Sequence, residues 1–266
     1  MKRIINLSKI IFSVLLLAYT GYIVYFLFMA PKEERYNFAA HMQGNGLSQA
    51  VFQILIKEYP EDARNYFEMS VPHNKRGDFT TGFSLLNKAV ALNPKAHHGY
   101  RGYMKLRFLR DYEGALTDFS KLDSLTPNFV DAPWGEDIDF LRGECYYGLK
   151  QYELAITAFQ QSLQNQKEDW ADVQTFVFIG LCKDQLDKTA EAVTAFETAL
   201  KYAQTTCEAH VALGRIYVRE GNLEKARFHL EQATKTLPYK RDDYYKEYLN
   251  EVYKTDIEAL RNRLVL

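Results

Sequence analysis

An all-α array of stacked helical hairpins, preceded by one membrane-spanning helix, is the architecture this sequence predicts. Three observations predict it. The stretch Gly77–Pro94, reading GDFTTGFSLLNKAVALNP, recurs in degraded form at 111–127, 151–163, 188–200 and 221–238. Aligned on their central small residue, the five copies superpose Gly82, Ala115, Ala155, Ala192 and Ala226, in steps of 33, 40, 37 and 34 residues. Large apolar residues follow four places on (Leu86, Phe119, Phe159, Phe196, Leu230). Three places further come Ala89, Leu122, Ser162, Ala199 and Ala233. A small residue with partners at +4 and +7 is the stripe of a helix packed closely on a neighbour, and a period near 34 means repeated helical hairpins. Second, Ile10–Ala30 runs 21 residues without a charge. Third, 47% hydrophobic and 25% charged residues describe a chain that folds.

The chain begins with a basic tail, residues 1–9, carrying Lys2, Arg3 and Lys9 and no acid. Residues 10–30 follow as the membrane anchor; as a helix they would extend roughly 31 Å, enough to cross a bilayer. Tyr19, Tyr22 and Tyr25 are amphipathic aromatics suited to the interface. The cations ahead of the span favour a cytoplasmic N-terminus and an exported body; the inverted arrangement, with a cytoplasmic repeat domain, is the alternative. A cleaved signal peptide is the other rival, but its apolar region is shorter and ends in small residues. Here Tyr25–Met29 is bulky up to Ala30-Pro31.

Pro31–Arg35 reads as a short polar link. Residues 36–62 read as a worn hairpin, Tyr36–Met42 and Leu47–Ile56 around Gly44-Asn45-Gly46, as a terminal repeat with a polar outer face requires. Residues 63–238 carry five full hairpins. Pro72 should kink or end the first of these helices near Ser70. Gly82, where the other copies have alanine, costs about 1 kcal/mol of helix propensity. The longest step comes from an insertion, 128–139, with Phe129 and Trp134 among four acids; it is either a binding loop or a flap over the adjacent hairpin. In 239–266, a helix over 242–264 would put Tyr245, Leu249, Val252, Tyr253, Ile257, Leu260 and Leu264 on one stripe as a cap.

These hairpins resemble the tetratricopeptide repeat (TPR) family. Leu213-Gly214, Tyr217, Gly221, Ala226, Leu230, Ala233 and Pro238 follow its signature in the fifth copy; Phe176, Ile179-Gly180, Ala192, Phe196 and Ala199 follow it in the fourth. The first copy contributes Tyr66, Gly77, Phe79, Leu86, Ala89 and Pro94. Arg101-Gly102 and Arg142-Gly143 depart from the family's leucine-glycine pair. Their expected role is an ion pair or cap to a neighbouring helix, with Asp118 one candidate partner.

The resemblance implies a TPR-type α-solenoid whose first helices line a concave groove for a partner's peptide or helix. Carried over by position, the groove residues are Tyr103, Arg107, Phe140, Glu144, Tyr147, Val177, Leu181 and Arg215, with Leu106, Asp184, Val211 and Arg219 beside them. The family's carboxylate clamp does not carry over: its places hold Gly99, Tyr103, Asp137 and Leu141. An aromatic and aliphatic groove suits an amphipathic helix or an extended apolar segment.

Chemistry is sparse. There is no phosphate-binding loop, nucleophile elbow or HExxH, and the six histidines are scattered. The motifs call for no cofactor and no metal. Cys145, Cys182 and Cys207 form no CxxC pair and read as small buried hydrophobes. Beyond residue 30 the body carries 30 basic against 34 acidic residues, no footprint for nucleic acid. The expectation is a non-enzymatic, membrane-anchored scaffold or adaptor for a protein partner. The alternative is a regulatory or substrate-presenting subunit of an envelope enzyme or of a secretion or assembly complex.

Overall fold

The computed structural model describes residues 2–166, 172–241 and 248–264. Among them are fourteen α-helices and no strand. The chain divides into two compact units, 1–97 and 98–266.

In the first unit, α1 (Lys2–Val24) continues as a π-helical turn, Tyr25–Met29. Lys9–Met29 is long and apolar enough to cross a membrane, and none of it is buried. The backbone becomes extended at Ala30, and Pro31 precedes α2 (Lys32–His41). Residues 32–35, expected as a link, are therefore helical. Arg35 explains why: its buried guanidinium bonds Glu58 and the Leu27 carbonyl, which ties the first turn of α2 down. The hairpin partner is α3 (Gly46–Glu58), N-capped by the Asn45 side chain on the Ser48 amide at 2.7 Å. Ala39, Val51, Phe52, Leu55 and Met69 form the core beneath it.

Next, α4 (Ala63–Lys75) pairs with α5 (Phe79–Leu92). The expected break at Ser70 does not occur. Pro72 lies inside an intact α4, its ring buried where a Cβ on Gly44 would stand 3.3 Å away. Burial of Ser70, Val71 and Pro72 offsets the lost hydrogen bond. Gly82 also gains a reason: a Cβ there would lie 2.0 Å from the buried Asn74 side chain.

The second unit consists of α6 (Pro94–Met104, entering from the first unit), α7 (Tyr112–Leu125), α8 (Ile138–Gly148), α9 (Tyr152–Gln166), α10 (Val173–Gln185), α11 (Thr189–Tyr202), α12 (Cys207–Arg219), α13 (Leu223–Thr236) and α14 (Lys254–Asn262). All the small-large-small stripe residues read from the sequence are buried. Opposite each large residue of the second unit stands a glycine of the first helix. A Cβ would sit 2.7 Å from Phe119 at Gly102, 2.5 Å from Phe159 at Gly143, 2.6 Å from Phe196 at Gly180 and 2.8 Å from Leu230 at Gly214.

First helices end alike. Arg110, Lys150, Asp187 and Gly221 take the left-handed conformation, and the next amide returns to a carbonyl of the last turn. In α6 that bond spans one residue more, from Asp111 to Lys105. The helix passes into a π-helical turn, Lys105–Leu109, because Gly102 precedes Ala115 by 13 residues where the other first-helix glycines precede their small residue by 12. A π-turn absorbs one inserted residue.

At the C-terminal end, α14 buries Ile257 and Leu260, with Leu264 beyond it, into the core of α10–α13. The expected helix over 242–264 is shorter than the stripe. Residues 248–253 are non-helical, Tyr253 is exposed, and Tyr245 lies outside the described residues.

Candidate functional site

The first helices α8, α10 and α12 contribute side chains to one face, and residues 248–252 lie on it. Tyr147, Leu181, Val211 and Arg215 from the helices, with Leu249 and Val252 from the segment, enclose a cavity of about 130 Å³. Asn250 donates its amide to Gln174 of α10 at 2.6 Å. Leu249 packs against the cluster built on Phe140, Phe159 and Phe178, and Val252 enters the core of the last hairpins.

Of the groove residues expected from sequence, Tyr147 and Leu181 are half-buried on this face and Arg215 is exposed at its edge. Five others are interior. Phe140 and Val177 are core, Phe140 lying edge-on to Phe159 and Phe178. Tyr103, Arg107 and Glu144 form a buried polar node. The Arg107 guanidinium, carried inward by the π-turn, bonds Glu144 of α8 and Glu136 of the insertion. It also faces the rings of Tyr103 at 5.8 Å and Tyr248 at 5.0 Å. Burial works against its charge, but the two carboxylates prevail and hold its pKa above the ordinary arginine value. Arg107 therefore joins α6, α8, the insertion and the C-terminal segment, and is not a surface anchor.

Leu106 and Val211 are buried, whereas Arg219 is exposed and bonds Asp184 at 2.6 Å between α12 and α10. The insertion folds back over α6: Trp134 lies 4.8 Å from the Tyr100 ring and 6.2 Å from Tyr103, ring centre to ring centre. It remains 55% exposed, as Phe129 is 67% exposed, so the loop is both flap and surface.

The arginine-glycine departures have the partners expected of them. Arg101 reaches Asp118 of α7 at 2.6 Å, joined there by Lys105 at 2.9 Å and His98 at 2.7 Å. Burial pushes the Asp118 carboxyl up, but these donors outweigh it and hold it below its usual range. Arg142 bonds Asp123 of α7 and, at 2.9 Å, Asp139. All three cysteines are buried and free; burial pushes Cys182 up to about 12 and Cys207 up to about 11, keeping them protonated and unreactive.

Profiles described as tetratricopeptide repeat match residues 137–168, the α8–α9 hairpin, and residues 183–239, which include α11 to α13. Both stretches are tetratricopeptide repeats. No curated protein matches it. Among solved structures, the TPR chain is similar to MamA (residues 41 to the end) from Desulfovibrio magneticus RS-1 at 18% identity and a TM-score of 0.55, over 66% of this chain and 97% of that one. YrrB, described as a TPR protein with an unusual peptide-binding site, matches at 21% identity and 0.53, over 70% and 92%. PilW, described as a widely conserved type IV pilus biogenesis factor, matches at 15% identity and 0.60, over 78% and 93%. At these identities the likeness is one of fold.

Proposed function

We propose that this TPR protein is a non-enzymatic scaffold that binds a partner protein on the face shared by α8, α10 and α12, tethered to a membrane through residues 10–30. The observation that carries the reading is that face itself. Tyr147, Leu181 and Arg215, from three successive first helices, line a cavity whose remaining wall is a peptide segment, residues 249–252. Tyrosine and arginine at such positions are the side chains that dominate interface energetics. The partner is a peptide or helix segment; YrrB, a neighbour in fold, is described by its own peptide-binding site. With the cations Lys2, Arg3 and Lys9 ahead of the span, the repeats face away from the cytoplasm.

A photoreactive residue in place of Leu181, in the full chain in native membranes, tests this. It should give discrete protein adducts that protease added outside the inner membrane degrades. The same probe at the exposed Lys201 of α11 should give none. Adducts from position 201 and not from 181 would refute the assignment of the face.

A further inference from the structure

The segment 248–253 is not packed as an ordinary cap. In α14, Ile257 and Leu260 are buried hydrophobic core. In the segment, Tyr248 and Val252 are buried, but Leu249, Asn250 and Glu251 between them are only half-buried, and a cavity remains between these and the repeats. Protein interiors close such gaps, leaving few voids larger than a water molecule. Its contacts are also those of a recognised peptide. Leu249 presents an aliphatic side chain to the cavity lined by Tyr147 and Leu181. Asn250 meets the Gln174 amide with its own, at 2.6 Å. The Tyr248 ring is set between two guanidinium groups, Arg107 at 5.0 Å and Arg241 at 3.6 Å. Glu251 is held by Lys240, a residue of the same C-terminal stretch, at 2.5 Å, and its carboxylate also accepts from the Tyr248 amide at 3.2 Å. Nothing from the repeats is needed to hold Glu251, while the exposed Arg215 lines the same cavity.

We propose that residues 248–252, Tyr-Leu-Asn-Glu-Val, are an intramolecular ligand. The first-helix face recognises extended peptides with an aliphatic residue followed by an amide and, two residues further, a second aliphatic, and the chain's own segment occupies that site until such a peptide displaces it. This rests on the face being the binding surface. A tethered segment competes at an effective concentration of order millimolar when the linker is short. A free peptide of the same sequence therefore binds the intact protein poorly and binds well once the segment is detached.

The test uses the full chain in detergent micelles and a fluorescent peptide covering residues 248–254, Tyr-Leu-Asn-Glu-Val-Tyr-Lys. Two variants detach the segment: the double substitution Leu249→Asp with Asn250→Ala, and the milder Asn250→Ala alone. Helical content is checked for each. The proposal expects the peptide to bind at least one detached variant ten-fold or more tighter than the intact chain. Adding Leu181→Asp should abolish that gain, and a scrambled peptide should not bind. Equal affinity for intact and detached chains, or no binding up to millimolar peptide, overturns it. If the Leu181 photoprobe still captures a partner in that case, the face stands as a binding surface and only the self-ligand falls. If capture is lost as well, both fall.

Discussion

Four glycines set the distance between the two helices of each hairpin in the second unit. At Gly143 a Cβ would lie 2.5 Å from the Phe159 ring, which is itself stacked on Phe178 at 5.2 Å. Neither ring has room to give. Gly143→Val should therefore cost about 1–3 kcal/mol of overpacking, seen as a lower thermal midpoint of the full chain. Gly46→Ala is the control, because nothing lies within 4 Å of the added carbon; it should leave the midpoint unchanged or slightly raised. These glycines were legible from sequence because each recurs in place within its repeat. Arg107 was not. Its place in the repeat marks a first-helix face position, but one inserted residue between Gly102 and Ala115 turns it inward through a π-turn. The spacing of 13 against 12 was the available signal. A burial of that kind also depends on Glu144 and Glu136, which sit 37 and 29 residues further on.

Between elements, the α12–α13 contact contains a paired histidine. His210 donates from Nε2 to the Gln204 carbonyl at 3.2 Å, which leaves its Nδ1 to accept from Nδ1 of His229 at 3.1 Å. His210 must be neutral to accept in this arrangement, and burial favours the neutral form of both rings. Burial, then the neighbouring His210 and Lys225, push His229 down to about 4, against about 6.5 in the unfolded chain. A lowered histidine pKa means the unfolded state takes up more protons between those values. Its contribution is thus complete above about pH 6.5 and lost as pH falls towards 4. Wild type should lose melting temperature over that window more steeply than His229→Gln; parallel curves would show that the pair does not titrate as described. The histidines belonged to the last hairpin in the sequence, but their pairing arises only when α12 and α13 dock. The C-terminal region shows the converse. A period near 3.6 in 242–264 suggested one long helix, yet only α14 is helical within the described part. Leu249 and Val252 satisfy the same pattern by touching the repeats, and periodicity cannot separate a helical stripe from a segment laid on a surface.

For the whole molecule, the repeat stripe and the charge-free run were enough to read an all-α TPR protein with a candidate membrane helix, because both are periodic and extended along the chain. The face proposed to bind a partner was legible only in outline. Tyr147, Leu181 and Arg215 lie on it, whereas Tyr103, Phe140, Glu144 and Val177 are interior, since positions on a first helix facing a partner and positions facing the next hairpin differ by one or two residues. The insertion offers the competing surface through Phe129 and Trp134. One titration separates them. The partner captured through position 181 would be purified and titrated calorimetrically into the full chain, into Leu181→Asp, into Lys201→Glu, and into Phe129→Ala with Trp134→Ala. A central interface anchor is worth about 2 kcal/mol or more, roughly thirty-fold in Kd. The account predicts that loss for Leu181→Asp alone, with the other two variants binding like wild type. Wild-type affinity in Leu181→Asp, with binding abolished in the Phe129 and Trp134 variant, would contradict it.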